Sequence, residues 1–215
     1  MTRRAWLALA GGACLAPPGA SAAPPDGFAP LGDGRTLNGW TPVGGDATTW
    51  HARDGVIAAP NPGKCWLSTE REYADFDLRL SYRLERGGNS GVLLRTPRRG
   101  DPSYEGVEVQ LLDDDAPAYR ALKPAQYTGS AYGVVPARRG SARPAGAWND
   151  LAIRYVGPSL TVTLNGTVVL DDRLDRHAWA FARHPGLTRE RGFIGLQAHE
   201  TPVRFRDLAI RPVVG

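Results

Sequence analysis

The segment Phe76–Glu85 reads FDLRLSYRLE, in which apolar and polar residues alternate over ten positions. Successive side chains of a β-strand point to opposite faces, so a period of two predicts a strand with one apolar face and one polar face. Gly87 and Gly88 end the run. This segment therefore predicts an antiparallel sheet that packs one of its faces on a core.

Turn signals separate further segments of the same kind along the chain. Asp54-Gly55 and Asn165-Gly166 each lie between two apolar stretches and predict tight β-hairpins. Residues 89–96 and 106–112 predict two more strands. A change of phase near Arg206-Asp207 predicts a β-bulge in the last strand.

The composition favours a protein of strands and turns. Gly (26) and Pro (18) make up about one residue in five, which disfavours helix bundles. We expect ten to twelve strands and one short helix within Ala178–Arg183, and we find no repeat and no linker. Residues 28–215 are therefore predicted to form a single all-β domain, a sandwich of two antiparallel sheets with few short helices.

The N-terminus has the pattern of a cleavable export signal over residues 1–22. Arg3-Arg4 precedes an apolar stretch, and Ala20-Ser21-Ala22 is a small-x-small cleavage site. The paired arginines resemble a twin-arginine signal, with a Sec signal as the alternative. The apolar stretch is too short for stable membrane insertion. These features predict a periplasmic or secreted protein with a flexible N-terminus at residues 23–27.

Charge and cysteine content exclude several classes of function. The formal net charge is +4, and the basic residues are scattered, so we expect no nucleic-acid partner. Removal of the signal leaves Cys65 alone, without an internal disulfide. Its apolar surroundings indicate a buried small hydrophobe and not a nucleophile. P-loop, Rossmann, zinc and Gly-x-Ser-x-Gly motifs are missing from the sequence.

Polar residues of unusual type share the outward face of three predicted strands. Amides, a carboxylate, a guanidinium and an imidazole alternate with apolar residues, and glycines lie among them. Such groups suit a sugar-like ligand, and the glycines are expected to leave room for it to approach, although a solvated face would also be polar. The residues of this face are Asn89, Arg95, Glu108, Gln110, Gln197 and His199.

Two other interpretations concern the acidic residues that follow Glu108. Asp113-Asp114-Asp115 is either the solvated start of a loop or a divalent-cation site. The spacing Glu108-x-Gln110-x-x-Asp113 is similar to the catalytic strand of laminarinase-type glycosidases. The match is poor because Gln110 cannot ionise and Asp113 falls on the opposite face, so a two-carboxylate mechanism is disfavoured.

A series of motifs in order along nearly the whole mature chain resembles the 3-keto-disaccharide hydrolase family, formerly a domain of unknown function. The motifs are Phe28–Leu31, Leu37–Trp40, Trp50–Ile57, Tyr73–Phe76, Gly88–Val92 with Arg95, Glu108–Asp113, Thr128–Tyr132, Trp148-Asn149, Leu164–Gly166, Gly195–His199 and Val203–Leu208.

The resemblance implies a concanavalin A-like jelly roll that acts on glycosides oxidised to a ketone at carbon 3. The ketone acidifies the proton on carbon 2, so a base can remove it and the enolate can expel the substituent on carbon 1. Water then adds to the product. Such a site needs a base, an acid and a group that holds the enolate oxygen.

The resemblance also suggests roles for individual residues. Glu108 and His199 are the candidate base and acid, in either order, and Arg95 is the candidate for holding the enolate oxygen. A divalent cation bound by Glu108 and His199 is an alternative for that last role. The candidates for binding a carbohydrate substrate are Asn89, Gln110, Gln197, Tyr132 and Trp148.

Two alternatives to this enzyme remain open at the level of the sequence. One is a noncatalytic, lectin-like carbohydrate-binding module that uses the same face. The other is a laminarinase-like endo-glucanase, which requires a second carboxylate within reach of Glu108. The sequence leaves the aglycone, the anomer, any metal requirement and the oligomeric state open.

Overall fold

The alternating segment forms strand β6, Phe76–Leu84, in the middle of the larger of two sheets. The computed structural model describes residues 26–45, 48–60 and 63–213. The predicted export segment, residues 1–22, lies outside these residues, as do positions 23–25 of the predicted flexible N-terminus. Within the described residues the strands are β1 (Ala29–Pro30), β2 (Trp40–Val43), β3 (His51–Arg53), β4 (Val56–Ala59), β5 (Cys65–Tyr73), β6 (Phe76–Leu84), β7 (Asn89–Thr96), β8 (Val107–Leu112), β9 (Asn149–Val156), β10 (Ser159–Leu164), β11 (Thr167–Arg173), β12 (Gly192–Ala198) and β13 (Val203–Pro212).

The strands form two antiparallel sheets that pack face to face as a jelly-roll β-sandwich, as predicted. The eight-stranded sheet has the order β11-β10-β9-β6-β13-β4-β3, with β1 paired to β13. The five-stranded sheet has the order β2-β5-β12-β7-β8. The apolar core lies between them and draws on both inner faces, for example Leu78 and Phe205 from one sheet and Val92 and Leu196 from the other.

Helical structure is confined to short segments. The one α-helix described, α1, spans Pro102–Glu105 and was not predicted. Five 3₁₀ turns are described, and one of them, Ala178–Ala180, lies in the segment where a short helix was expected. The others are Pro117–Tyr119, Pro124–Gln126, Leu174–Arg176 and Pro185–Thr188.

The predicted turns have the backbone that their residues favour. Asp54-Gly55 and Asn165-Gly166 both have positive φ at each position and connect β3 to β4 and β10 to β11. The predicted bulge in β13 is present, because Asp207 has φ +55° and the register against β6 shifts between Arg206 and Ala209. Asx-Gly pairs adopt positive φ at little cost, so these two dipeptides correctly identified the two hairpin turns.

The polar face of β6 is covered by protein and not fully solvated. Asp77 is 9% exposed and accepts hydrogen bonds from Arg154 on β9 and Arg211 on β13. Ser81 donates to Asp150. Long arginine side chains lie across such a face and shield it while their charged ends stay near water. The prediction of a polar face was correct, but neighbouring strands bury part of it.

A second bulge, in β7, overturns the expected orientation of Arg95. Leu93 pairs with Gly195 and Thr96 pairs with Phe193, so β7 has one more residue than β12 in this interval. Arg95 has φ +48° and its side chain, 2% exposed, turns inward. A bulge reverses the alternation of side chains beyond it, which strict period-two reasoning cannot anticipate.

The buried Arg95 guanidinium connects several loops of the fold. It donates to the backbone oxygens of Ala74, Gly157 and Arg189 and to the carboxylate of Asp75. It also lies 3.7 Å from the centre of the Tyr155 ring. A buried charge with all these partners is a structural group, so the assignment of Arg95 to the outward polar face was wrong.

We expect Arg95→Met to lower the free energy of unfolding by about 2–4 kcal/mol, because three backbone oxygens and a carboxylate lose their donor. Urea denaturation measures the change. The matched control is Arg53→Met at a side chain 89% exposed, which should change stability by less than about 0.5 kcal/mol. Equal effects of the two substitutions would contradict the structural role.

Candidate active site

A cleft of 450 Å³ lies on the outer face of the five-stranded sheet. Its size is within the usual range for small-ligand sites. Strand pairing builds its floor: Trp66 on β5 pairs with Gln197 on β12, and Gly91 on β7 pairs with Gln110 on β8. The predicted residues that line the cleft are Asn89, Glu108, Gln110, Gln197, His199 and Tyr132.

Glu108 is the buried carboxyl group of this cleft. It is 4% exposed, and its side chain lies across Gly91 on the adjacent strand. A Cβ atom at Gly91 would lie 2.8 Å from Cδ of Glu108, closer than real side chains approach. The missing side chain at Gly91 is thus what allows the carboxyl group to lie flat on the sheet.

Burial raises the pKa of Glu108 to about 7. The Ser103 hydroxyl and the Gln197 amide donate hydrogen bonds to the carboxylate and oppose this shift, whereas the negative charge of Asp101 adds to it. Desolvation disfavours the charged form of a carboxyl group, which accounts for the direction. A carboxyl group with this pKa exchanges protons readily at neutral pH, as a general base or acid requires.

The segment that connects β7 to β8 forms one wall of the cleft. Asp101 caps helix α1 by accepting a hydrogen bond from the Ser103 backbone, which holds the Ser103 hydroxyl above Glu108. The Gln197 amide also reaches Ser103 Oγ at 3.5 Å. Sequence analysis missed Asp101, Ser103 and Tyr104, because a four-residue helix has no detectable periodicity.

Tyr132 lines the cleft beside this segment. Its backbone N–H donates to the carbonyl of Glu108, and its hydroxyl accepts a hydrogen bond from Gln126 at 3.1 Å. The Tyr104 and Tyr132 rings meet edge to face, with centres 6.4 Å apart. Because the Tyr132 oxygen already accepts a bond, its own proton remains to donate into the cleft.

Gln110 and Asn89 add amide groups to the floor. Gln110 is 4% exposed, and its Oε1 accepts from the backbone of Leu111, which leaves its NH₂ group as a donor. Asn89 and His199 lie at the ends of neighbouring strands and line the same end of the cleft. This set resembles the amide-rich sites that bind hydroxyl groups.

Two sequence-predicted residues lie elsewhere. Arg95 is buried between loops, as described above. Trp148 lies on the outer face of the eight-stranded sheet between Arg83 and Arg206, whose guanidinium carbons are 5.4 and 4.3 Å from its ring centre. The tryptophan that lines the cleft is Trp66 instead. Its position between the core residues Cys65 and Leu67 was a signal that alternation could have identified.

The glycines of the polar face make room for protein and not for a ligand, contrary to the expectation. Gly91 accommodates Glu108, and a Cβ at Gly195 would lie 2.9 Å from the Leu93 side chain and 3.2 Å from the Trp66 ring.

Cys65 is buried in the core as predicted, and burial raises the pKa of its thiol.

The acidic run after Glu108 has structural partners. Asp113 accepts from the backbone of Gly87, and Asp114 accepts from the backbone and hydroxyl of Thr128. The run lines a different pocket, so it does not bring Asp113 to the cleft.

Over the described part of the chain, no group of three or more His, Cys, Asp or Glu side chains is placed to hold a metal ion. A cation in the cleft would depend on the carboxylates of Glu108 and Asp101, on His199 and on neutral oxygens.

A family model described as the 3-keto-alpha-glucoside-1,2-lyase-like domain matches residues 27–211. The chain belongs to this family. The match covers all strands of the sandwich and every residue of the cleft. The family predicted from the sequence motifs is therefore confirmed.

Individual relatives agree with this assignment. A 3-keto-disaccharide hydrolase of Bacteroides thetaiotaomicron is 24% identical in an alignment 227 positions long, gaps included, that covers 86% of this chain and 78% of that protein. A crystal structure of a putative glycosyl hydrolase from Parabacteroides distasonis is 26% identical, with a TM-score of 0.71 over 86% of this chain and 99% of that one.

More distant structures share the fold alone. The carbohydrate-binding module CBM66 from Bacillus subtilis is 13% identical and has a TM-score of 0.56, covering 80% of this chain and 95% of that one.

The helices of this 3-keto-alpha-glucoside-1,2-lyase-like domain are all short. Among the described residues, none has the length and hydropathy needed to cross a membrane.

The raised pKa of Glu108 predicts a pH-dependent stability difference between the protein and Glu108→Gln. The unfolded carboxyl titrates near 4.5 and the folded one near 7, so the folded state holds the extra proton between these values. Stability is therefore lost as pH rises from about 4.5 to about 7, by roughly 1–3 kcal/mol, relative to the glutamine variant.

Urea denaturation of both proteins at pH 4.5, 6 and 8 measures this difference. Other titrating groups are common to both proteins and cancel. A difference in unfolding free energy that does not change with pH would contradict the environment described for Glu108.

Proposed function

We propose that this protein cleaves glycosides of 3-keto-glucose by elimination and subsequent hydration. The observation that carries the proposal is the buried Glu108 carboxyl, whose pKa is raised to about 7 in a cleft lined by amides and hydroxyls. Membership of the family and the hydrolase name of the Bacteroides relative support the substrate class.

Glu108 is the base in this proposal. Its carboxylate removes the proton from carbon 2, and the electron pair of that C–H bond forms the enolate with the ketone at carbon 3. The proton is already acidified by the ketone, so a carboxylate with a raised pKa is a sufficient base. Ser103 and Gln197 orient the carboxylate through the hydrogen bonds described above.

His199 is the acid. The enolate expels the substituent on carbon 1, and the His199 side chain gives a proton to the departing oxygen. Addition of water to the resulting carbon–carbon double bond then returns a proton to carbon 2 and a hydroxyl to carbon 1. The net result is hydrolysis of the glycosidic bond without a second catalytic carboxylate.

The enolate oxygen needs donors other than Arg95. Tyr132 supplies one, since its hydroxyl accepts from Gln126 and keeps its own proton for the substrate. The NH₂ group of Gln110 is another, because its oxygen is engaged by the backbone of Leu111. Preorganised neutral donors of this kind stabilise developing negative charge in a water-poor site.

A divalent cation held by Glu108 and His199 is the alternative means of stabilising the enolate. Both residues line the cleft, and the amide oxygens of Asn89 and Gln197 would complete its oxygen ligands. Such a cation would supply Lewis-acid polarisation of the ketone. Turnover measured with and without a chelator distinguishes this arrangement from the neutral donors.

The proposal extends to cellular location. The pattern of residues 1–22 supports export to the periplasm or the medium, where a carbohydrate substrate would be encountered. Mass spectrometry of the N-terminus of protein recovered from the periplasm would show a new terminus after Ala22.

We expect the purified protein to release the aglycone from a 3-keto-glucoside and not from its unoxidised parent. Glu108→Gln should lower kcat by about 10²–10⁴-fold, the usual contribution of a general base. Deuterium at carbon 2 should slow the wild-type reaction. Glu70→Gln, at an exposed carboxyl group on the same sheet, is the matched control. It should change neither kcat on the 3-keto-glucoside nor the slowing caused by deuterium at carbon 2.

Other results would favour the other two functions. Release from the unoxidised parent would indicate ordinary glycoside hydrolysis, with Asp101 as the second carboxylate in the cleft. Binding of the sugars without any turnover would indicate a carbohydrate-binding module. Either result would contradict the elimination mechanism.

A further inference from the structure

A second pocket lies beside the cleft on the same face of the five-stranded sheet. Glu108 pairs with Leu93, and Leu93 pairs with Gly195, so these residues form one row across β8, β7 and β12. The next row on this face contains Phe193, two residues along β12 and about 7 Å away. Phe193 pairs with Thr96 on one side and Glu72 on the other, and all three line a pocket of 370 Å³.

Four arginines surround this pocket, which we call the arginine pocket: Arg98, Arg99, Arg189 and Arg191. Two of them are neutralised by carboxylates, Arg189 by Glu105 and Arg191 by Glu72, each at 3.3 Å. Among the described residues, no carboxylate forms an ion pair with Arg98 or Arg99. The pocket therefore carries two positive charges that the described part of the chain does not neutralise.

Arg98 is held in place by neutral groups. Its Nε donates to the Ser68 hydroxyl at 3.2 Å, and one terminal nitrogen donates to the backbone oxygen of Thr69 at 2.7 Å. Its guanidinium carbon lies 4.2 Å from the centre of the Phe193 ring. Since Ser68 pairs with Gly195, Arg98 stands at the boundary between the row of Glu108 and the arginine pocket.

This arrangement is that of a preorganised anion site. The side chain of Arg98 is fixed by two hydrogen bonds and a ring contact, so its remaining N–H groups can bind a ligand with little further loss of conformational freedom. The exposed Arg99 adds a second charge from the same loop. Guanidinium groups match the two oxygens of a carboxylate, sulfate or phosphate.

We propose that the arginine pocket is a subsite for an anionic group on the aglycone of the substrate whose sugar ring occupies the cleft. This inference rests on the proposed function for its substrate, and it assigns a specificity that the family does not give. A carboxylate attached to a ring directly beyond the scissile bond has the right reach, because the two sites are adjacent rows of one sheet.

Paired substrates test this proposal. The 4-carboxyphenyl and 4-carbamoylphenyl 3-keto-glucosides of the same anomer differ in charge and little in shape. We expect the ratio of their kcat/KM values to favour the carboxylate by on the order of tenfold. The preference should shrink in 0.5 M salt, because the Debye length is then only about 4 Å and the charges are screened. A 4-sulfophenyl substrate shows whether sulfate-like groups are accepted as well.

Variants of the pocket should remove the preference. Arg98→Gln should bring the ratio close to one, and Arg98→Lys should restore part of it. Arg99→Gln, at an exposed side chain, should reduce the ratio by roughly threefold with no effect on folding. Arg53→Gln, an exposed arginine on the other sheet, is the control and should leave the ratio unchanged.

Direct binding separates this inference from the proposed function. Calorimetry with the unoxidised 4-carboxyphenyl and 4-carbamoylphenyl glucosides needs no turnover. If the keto substrates are cleaved but neither rate nor binding depends on the carboxylate, the subsite is wrong and the proposed function stands. If no keto substrate is cleaved but the carboxylate binds more tightly in an Arg98-dependent way, the subsite stands and the proposed function is wrong.

Discussion

The contact of the Glu108 carboxyl group with the bare backbone of Gly91 is the constraint on which the cleft depends. A side chain at position 91 would occupy the space of the carboxyl group and lift it from the sheet. Lying flat, the group is desolvated, and its pKa rises to about 7. The raised pKa of Glu108 therefore depends on the absence of a side chain at Gly91. Hydrogen bonds from Ser103 and Gln197 then fix the orientation of the Glu108 carboxyl group.

The bulge in β7 lies between two pockets on the outer face of the five-stranded sheet. Before the bulge, Asn89 and Gly91 face the cleft; at the bulge, Arg95 turns into the fold and binds the loops around Asp75 and Gly157. After it, Thr96 and the arginines that follow surround the second pocket. One extra residue in β7 thus turns the Arg95 guanidinium into the fold. On the outer face, the bulge lies between the cleft that contains Glu108 and the pocket that is lined by arginines.

Regular alternation made the sandwich and most of the cleft predictable. Strand β6, the two Asx-Gly hairpins and the bulge in β13 all follow from local patterns, and so does the shared face of Glu108, Gln110 and Gln197. Arg95 was misplaced because the consecutive apolar residues Val92, Leu93 and Leu94 hide the change of phase that a bulge produces. Trp148 was misplaced because the sequence does not show which sheet an aromatic residue outside the strands covers. Trp66 was missed although it alternates with the core residues Cys65 and Leu67. Asp101 and Ser103 reach the cleft through a loop and a single helical turn, which only tertiary structure positions.

The pH dependence of kcat/KM on a 3-keto-glucoside tests most directly whether Glu108 is the base. The account predicts that the ascending limb of this profile has its midpoint near 7, as the buried carboxyl group ionises. In Ser103→Ala this midpoint should move to higher pH, because a hydrogen bond that lowers the pKa of Glu108 is lost. A profile without this ascending limb, or a midpoint that Ser103→Ala leaves in place, would contradict the account.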